Sequence, residues 1–209
     1  MCKKIELKYI IGIIIATVLW FFMFSKWTSY LINFWVTMPI AAVILISFSI
    51  YLNKKLKFDL KINYKDVIVG LGSAILLWFI FLAGDYFSNI LFSFEESQVS
   101  SIYGMRMGHD SFILTLLLLF IIGPAEEIFW RGTIQKHLMK KINPWAGVII
   151  TTIIYSLVHL WSFNFMLIMA ALVCGLFWGI LFMYYKKLPA LIISHALWDV
   201  AVFIWFPIL

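Results

Sequence analysis

The sequence predicts an all-α protein, a polytopic membrane helix bundle of about seven transmembrane helices. Of its 209 residues, 64% are hydrophobic and only 12% carry charge, a composition typical of membrane proteins. Apolar windows of about 17 to 25 residues, the length that crosses a bilayer core as a helix, recur along the chain with short polar joints between them. Residues 1–209 are therefore expected to form a single membrane domain.

Seven apolar windows define the predicted spans. Their bounds are Tyr9–Phe24, Tyr30–Tyr51, Val67–Phe92, Ser111–Gln135, Trp145–Trp161, Phe165–Tyr185 and Leu188–Pro207. The first window follows the charged segment MCKKIELK and so has the polarity of a secretory signal. Its apolar run is long, however, and no small-residue cleavage pattern follows it. It is therefore predicted to be the first membrane helix.

The polar joints separate these spans and predict their orientation. Residues 52–66 carry five lysines, residues 136–143 carry three, and Lys186–Lys187 separates the last two spans. If the chain crosses at every span, 13 of the 16 Lys and Arg residues lie on the side of the N-terminus. By the positive-inside rule, the N-terminus is cytosolic and the C-terminus lies outside.

Charge and cysteine content limit the partners. The net charge of +6 is explained by topology and by attraction to anionic lipid head groups, so membrane lipids are expected as partners and nucleic acid is not. Cys2 and Cys174 are too few and too far apart for a disulfide framework or a cysteine metal site, and Cys174 is interpreted as a packing residue.

Ionisable residues inside the predicted spans are costly unless they pair with one another or line a wet cavity. They are Asp85, Glu126, Glu127, Arg131, His159, His195 and Asp199. Apart from Asp85, the acidic and histidine residues of this set lie in the fourth, fifth and seventh spans. Counted along those spans, they lie roughly 12 to 22 Å above the cytosolic helix ends. They can converge if these three helices touch. Asp85 is interpreted as structural, bonded to neighbouring backbone, and His109 and His137 are predicted to be solvated.

Spacing within the fourth span suggests different roles for its two glutamates. Glu127 and Arg131 are i,i+4 neighbours in the order that favours an ion pair. Glu126 lies about 100° round the helix and has Trp130, not a cation, at i+4. Glu127 is therefore predicted to be charge-balanced, whereas Glu126 is free to react as a general base or acid. Pro124 is expected to kink the helix beside them.

Two further spans carry polar residues at helical spacing. Tyr155 and His159 share one face of the fifth span, and His195 and Asp199 are i,i+4 neighbours in the seventh. The sixth span instead carries small residues at every fourth position, which favour close helix packing: Ala171, Gly175 and Gly179.

These patterns together resemble the CAAX protease and bacteriocin-processing family, also called the Abi family of intramembrane glutamate endopeptidases. The motifs are EExxxR at Glu126–Arg131, an aromatic residue four positions before a histidine at Tyr155–His159, and His-xxx-Asp at His195–Asp199. The resemblance covers roughly residues 115–200. Residues 111–209 would accordingly form the catalytic helices, and residues 1–110 a variable N-terminal part that matches only in being hydrophobic.

The resemblance implies a role for each matching residue. Glu126 would activate a water with help from His159, Glu127 and Arg131 would hold the geometry, and His195 and Asp199 would face the oxyanion. Two residues depart from the most frequent pattern. Tyr155 replaces a Phe, and its hydroxyl needs a partner such as His159 or a substrate carbonyl. Asp199 stands where eukaryotic and archaeal members have Asn, although bacterial relatives often have Asp, and it is either protonated or orients His195.

The same residues could alternatively form a metal site. Two Glu and two His could ligate zinc. The zincin spacing HExxH is absent, however, and the resemblance favours metal-free activation of water, so no cofactor is expected.

The predicted depth of the site limits the substrate, and the resemblance implies a peptidase. A site roughly 12 to 20 Å above the cytosolic helix ends is reached most easily from the cytosol or the inner leaflet, so the substrate would be a hydrophobic or lipid-anchored peptide. Relatives cleave prenylated CAAX tails in eukaryotes and are linked in bacteria to maturation of, or immunity to, secreted peptides; a bacterial cytoplasmic membrane is expected here. Two alternatives are a non-catalytic binding or immunity protein and, less favoured, a transporter, which would show discontinuous helices in both halves.

Overall fold

The structure, a computed structural model, describes residues 6–52 and 60–208. Within these ranges, eight helices make up the fold, and seven of them are long and apolar enough to cross a membrane. They are α1 (Leu7–Phe24), α2 (Phe34–Leu52), α3 (Tyr64–Leu91), the short α4 (Glu95–Gly104), α5 (Ser111–Lys141), α6 (Pro144–Ser162), α7 (Phe165–Tyr185) and α8 (Leu188–Trp205). Helix accounts for 85% of the structure, and the described part contains no strand.

The predicted architecture and its seven spans are confirmed, with helix ends shifted by a few residues. The second span begins at Phe34 and not at Tyr30, because Ser29–Leu31 forms a separate 3₁₀ turn. The joint before the fourth span contains α4, which no apolar window predicts. The predicted cytosolic N-terminus stays a prediction. Several residues used in the sequence arguments lie outside the described residues: Cys2, Lys3, Lys4, Lys54, Lys55 and Lys57.

Several of the membrane helices begin at a polar side chain that caps the first turn, and four of them illustrate the pattern. Each cap accepts a hydrogen bond from a backbone N–H one turn into the helix, which satisfies a donor that the helix itself cannot pair. The caps are Asn63 for α3, Asp110 for α5, Asn143 for α6 and Asn164 for α7. These short polar residues therefore mark helix starts that hydropathy alone locates only to within several positions.

Small residues set how closely the central helices approach. A Cβ atom on Gly123 of α5 would lie 3.0 Å from the Cα of Ala196 in α8, so glycine permits the contact between these two helices. A Cβ on Gly175 of α7 would lie 3.2 Å from side-chain atoms of Thr152 and Tyr155 in α6. The predicted packing role of the small-residue stripe is thereby confirmed. Helices α5, α6, α7 and α8 are thus held at the distances that build the site.

Candidate active site

The two adjacent glutamates lie where α5 changes its helical geometry. The π-helical segments Leu118–Ile122 and Glu127–Gln135 flank a short α-helical segment, Gly123–Glu126. π-helical turns are rare and occur frequently at functional sites. Pro124 lies at the start of the short segment. The irregularity expected from this proline thus takes the form of π-helical turns on both sides of it.

Glu127 connects two other ionisable side chains. Its Oε1 accepts a hydrogen bond from Arg131 Nη1 at 2.8 Å and lies 2.8 Å from His195 Nδ1. The ion pair predicted from the i,i+4 spacing is confirmed, and both partners are almost fully buried. Arg131 Nη2 also donates to the carbonyls of Cys174 and Gly175, at 3.3 and 3.4 Å. The pair therefore joins α5 to α7 and α8.

His195 is held on three sides. Glu127 engages its Nδ1, and Asp199 Oδ2 lies 3.5 Å from its Nε2, an ion-pair distance that is longer than a good hydrogen bond. The imidazole also stacks on the indole of Trp178, with ring centroids 3.8 Å apart and an interplanar angle of 20°. Trp178 is fixed in turn, because its Nε1 donates to Ser194 Oγ at 3.0 Å. Of the two roles considered for Asp199, the geometry favours contact with His195.

Glu126 is bonded to Tyr155 of α6. The Tyr155 hydroxyl donates to Glu126 Oε2 at 2.8 Å, and both side chains are buried. Neither His159 nor an open position for a substrate carbonyl is the partner of this hydroxyl, so that expectation was wrong. Sequence spacing misses the contact because it depends on how α5 and α6 are rotated against each other.

His159 lies in the 3₁₀ turn Val158–Ser162 that ends α6, and both of its ring nitrogens are engaged. Nδ1 lies 2.8 Å from the carbonyl oxygen of Tyr155, and Trp20 Nε1 of α1 donates to Nε2 at 3.0 Å. Because a carbonyl only accepts and an indole N–H only donates, the proton is on Nδ1 and Nε2 is the acceptor. Trp20 and Tyr155 thus select one neutral tautomer of this histidine.

A cavity of about 450 Å³ brings these residues together. Four of the candidate residues line it: Glu126, His159, His195 and Asp199. The other two, Glu127 and Arg131, do not line it and are only 0% and 1% exposed. The predicted convergence of three helices is confirmed, and it separates residues that can meet a ligand from residues that support them. The catalytic roles themselves stay predictions.

Residues 108–201 match the family model described as type II CAAX prenyl endopeptidase, Rce1-like. By this match, the segment is similar to the CAAX protease and bacteriocin-processing family. The family is a protease family, and together with the seven apolar helices the match indicates a multi-pass membrane protein of the CAAX-type intramembrane protease class. No match was found among curated proteins or among solved structures.

The family match contains all six candidate residues but not every residue of the cavity. Trp20, Asp85 and Glu95 come before it in the chain and also line the cavity. Helices that lie before the matched segment therefore complete the cavity. Trp20 offers no sequence signal for this role, since an apolar window of a membrane helix normally contains such residues.

The cavity extends toward the end of the bundle opposite the N-terminus. Its wall includes Phe24 at the end of α1, Phe34 at the start of α2, Phe92 just after α3, and Phe165 at the start of α7. Glu95 and other residues of α4 complete it at that end. Among the described residues, the wall includes none from the lysine-rich, N-terminal end, the side from which access was expected. Depth counted along single helices located the polar residues but not the direction in which the space between helices opens.

A metal ion fits this arrangement poorly. In the part of the chain that the structure describes, no group of three or more His, Cys, Asp or Glu side chains could hold one. His159 Nε2 accepts from Trp20, and its Nδ1 is bonded to a carbonyl. His195 faces Glu127 with Nδ1 and Asp199 with Nε2. Metal ligation would require these contacts to break, because a metal binds the lone pair of a neutral imidazole nitrogen.

Two other sequence-based interpretations change with the structure. His137 is not solvated, because it is buried and stacks on Tyr9 of α1 with ring centroids 3.5 Å apart. His109 is exposed, as predicted. Asp85, interpreted from the sequence as a structural residue, lines the cavity together with Glu95, which is 3% exposed. Burial, and next the charge of Asp85, raises the pKa of Glu95 above its usual value.

Proposed function

We propose that this protein is an intramembrane endopeptidase in which Glu126 activates a water molecule to hydrolyse a peptide bond in a hydrophobic or lipid-anchored peptide. The observation that carries the proposal is the position of Glu126. It lines the cavity, and within the described residues Tyr155 is its hydrogen-bond partner, through Oε2 alone. Oε1 is therefore available to accept a hydrogen bond from a water in the cavity.

In the proposed reaction, Glu126 acts first as base and then as acid. It takes a proton from the water while the water oxygen attacks the carbonyl carbon of the scissile bond. The resulting tetrahedral intermediate collapses, the C–N bond breaks, and Glu126 returns the proton to the leaving amine. The Tyr155 hydroxyl fixes the direction of the carboxyl throughout, since its bond to Oε2 turns Oε1 toward the water.

His195 is proposed to stabilise the oxyanion of the intermediate. Its Nδ1–H donates to Glu127, and its Nε2 is the nitrogen nearer to Asp199, which also lines the cavity. A donor held in place before the reaction begins is effective because it needs no reorganisation when charge develops. Glu127, Arg131 and the stacked Trp178 supply that rigidity from outside the cavity. Asp199 is proposed to orient His195 and to compensate its charge when Nε2 is protonated.

His159 is proposed to act as a neutral imidazole beside the water. It lines the cavity, and Trp20 and Tyr155 hold its ring in one tautomer. Its Nδ1 contact with the carbonyl of Tyr155 also connects it to the residue that orients Glu126. Trp20 of α1 is therefore proposed to be a positioning residue for the reaction.

The direction in which the cavity extends also suggests from which side of the membrane the substrate enters. If the N-terminus is cytosolic, as the lysines predict, the cavity opens toward the outer half of the membrane. A peptide anchored there would reach Glu126 without crossing the lysine-rich side. We propose a bacterial cytoplasmic membrane as the location and membrane-associated peptides of its outer face as substrates.

The test is cleavage of a library of membrane-anchored peptides by the purified full chain in liposomes. Wild type is compared with Glu126→Gln, which keeps the size of the side chain but cannot act as a base. Glu96→Gln is the matched control, because Glu96 is an exposed carboxyl of α4 outside the cavity. Each protein is measured with and without a strong zinc chelator.

The proposal expects cleavage by wild type and by Glu96→Gln, loss of cleavage in Glu126→Gln, and no effect of chelator. Cleavage that persists in Glu126→Gln would contradict the role of this glutamate. Loss of activity with chelator would instead favour a metal-dependent protease. Folded wild type that binds peptides of the library but cleaves none would favour a binding or immunity protein using the same cavity.

A further inference from the structure

The wall of the cavity is exposed on one side. Most of the residues that line the cavity are buried or half-buried. Among the described residues, the exposed members of the wall come from two helices: Ile80 and Gly84 of α3, and Phe165 and Met169 of α7. Ile80, Phe165 and Met169 are 38%, 39% and 37% exposed. Because α3 and α7 are apolar helices long enough to cross a membrane, this side of the cavity faces lipid.

Helices α3 and α7 are joined at the lysine-rich end of the bundle. The hydroxyl of Tyr185, at the end of α7, donates to Asp66 Oδ1 in the first turn of α3 at 2.8 Å. One turn further along α3, a Cβ atom on Gly70 would lie 2.6 Å from Ile193 of α8, so the two helices are tightly packed there. Leu77 is the last buried residue of α3. The half of α3 that borders the cavity is therefore exposed to its surroundings along much of its surface.

The short helix α4 covers the end of the cavity away from the lysines. Glu95 and Ile102 lie on one face of α4 and both line the cavity. Gln98 fixes α4 to the start of α7, because its Oε1 accepts a hydrogen bond from the backbone N–H of Met166 at 3.0 Å. A ligand that entered from this end would have to displace α4. The gap between α3 and α7 requires no such displacement, so it is the direct route from the membrane to Glu126.

We propose that the substrate enters sideways from the lipid between α3 and α7, and that its apolar membrane segment docks against the exposed face of α3 around Gly84. This inference rests on the proposed endopeptidase activity and names the form of the substrate. The substrate is a peptide whose apolar segment lies in the bilayer directly beside the bond to be cut. A helical segment of this kind satisfies its own backbone hydrogen bonds, so it can reach the gap without exposing polar groups to lipid.

Gly84 determines the size of the side chains that the gap admits. It belongs to the cavity wall, and a Cβ atom at this position would meet no atom within 4 Å. A larger side chain therefore fits the fold at this position, but it occupies space at the gap. Gly72 is the matched control, because it is also exposed on α3 and its Cβ would also meet no atom within 4 Å, yet it does not line the cavity. The same substitution changes helix propensity equally at both positions.

The first experiment measures how tightly a membrane-anchored peptide, with leucines in its apolar segment, binds the full chain in liposomes. Each variant is made in a Glu126→Gln background, so that binding is measured apart from cleavage. Gly84→Ala, Gly84→Leu and Gly84→Phe should weaken binding progressively, and Gly84→Phe should raise the Kd at least about tenfold. Gly72→Leu and Gly72→Phe should leave the Kd unchanged. Size-exclusion profiles and thermal unfolding confirm that each variant is folded.

A change in the peptide should compensate for the change in the protein. A second peptide carries alanines in place of the leucines nearest the scissile bond. Gly84→Leu should bind this peptide nearly as tightly as the protein with Gly84 does, because the smaller side chains restore the space at the gap. With Glu126 present, Gly84→Phe should lower kcat/KM for the leucine peptide with little change in kcat, since the obstruction affects entry and not the reacting groups.

A photoreactive side chain in place of Gly84 identifies what occupies the gap. It should cross-link to the bound peptide, whereas the same side chain in place of Gly72 should cross-link to lipid. Cross-linking to lipid alone at Gly84, while the peptide is bound, would show that the peptide enters elsewhere. Cross-linking to a second copy of the protein would show that this face is a subunit interface. Either result would overturn the inference.

The outcomes also separate this inference from the proposed function. Equal weakening by the Gly84 and Gly72 substitutions, or no binding of either peptide to the folded protein, would contradict sideways entry whether or not cleavage depends on Glu126. Cleavage that persists in Glu126→Gln would contradict the catalytic proposal, while binding and cross-linking still decide the route of entry.

Discussion

Replacing Trp20 with phenylalanine removes the indole N–H, which donates a hydrogen bond to His159 Nε2 at 3.0 Å. Trp20 is 1% exposed, so water does not easily take its place. A buried hydrogen bond between neutral groups contributes about 1 to 1.5 kcal/mol net. Because 1.4 kcal/mol is a factor of ten in rate, kcat should fall about tenfold if the whole contribution positions His159 for the reaction.

The chain contains a matched control for the volume lost in this substitution. Trp130 is also fully buried and packs edge-on against Trp20, with ring centroids 6.4 Å apart. Its Nε1 has no hydrogen-bond partner among the described residues. Trp130→Phe therefore removes the same atoms next to the same ring without removing a bond to His159. Any loss of packing should lower the free energy of unfolding in both variants.

The assay is steady-state cleavage of a membrane-anchored peptide in liposomes, with thermal unfolding recorded in parallel. Trp20→Phe should lower kcat about tenfold with little change in KM, because the bond acts on the reacting groups and not on the peptide. Trp130→Phe should leave kcat nearly unchanged. Equal kcat values in the two variants would refute the positioning role. A higher kcat in Trp20→Phe would show that Trp20 instead withholds Nε2 from the water.

Three further predictions follow from the same contacts. Arg131→Met leaves Glu127 buried without its cation and should lower the free energy of unfolding by about 3 to 5 kcal/mol, measured by denaturation in detergent; adding Glu127→Gln should recover part of the loss. Asp199→Asn keeps the shape beside His195 but removes a carboxylate, so peptide cleavage should fall, and unchanged activity at all pH values would exclude a required carboxylate there. Glu96→Cys, on a background without other cysteines, should react with an impermeant maleimide in intact cells if the N-terminus is cytosolic; reaction only after permeabilisation would reverse the orientation.

Hydropathy and residue spacing were sufficient to predict the features of this protein that depend on a single helix. The seven spans could be predicted because a helix in a bilayer must be apolar over its own length, whatever it packs against. The Glu127–Arg131 and His195–Asp199 pairs could be predicted for a similar reason, since residues four apart meet on one helix face. The three motifs likewise indicated the family that residues 108–201 match.

Contacts between helices depended on the tertiary structure. Trp20 bonds His159 across 139 positions of the chain, and Asp85 of α3 lines the same cavity as Glu95 of α4. Tyr155 was a candidate partner for His159 but bonds Glu126 instead. Each of these contacts depends on the rotation and approach of two helices, and no periodicity within one helix encodes either quantity.

The direction of the cavity shows the same limit. The sequence by itself determined how far Glu127 and His195 lie along their own helices, because rise per residue is a property of one helix. Only the tertiary structure decided that the space beside them opens away from the lysine-rich end, because a cavity is bounded by several helices at once. Gly123 illustrates the connection: the missing side chain is visible in the sequence, but the contact with Ala196 that it permits exists only when α5 and α8 pack together.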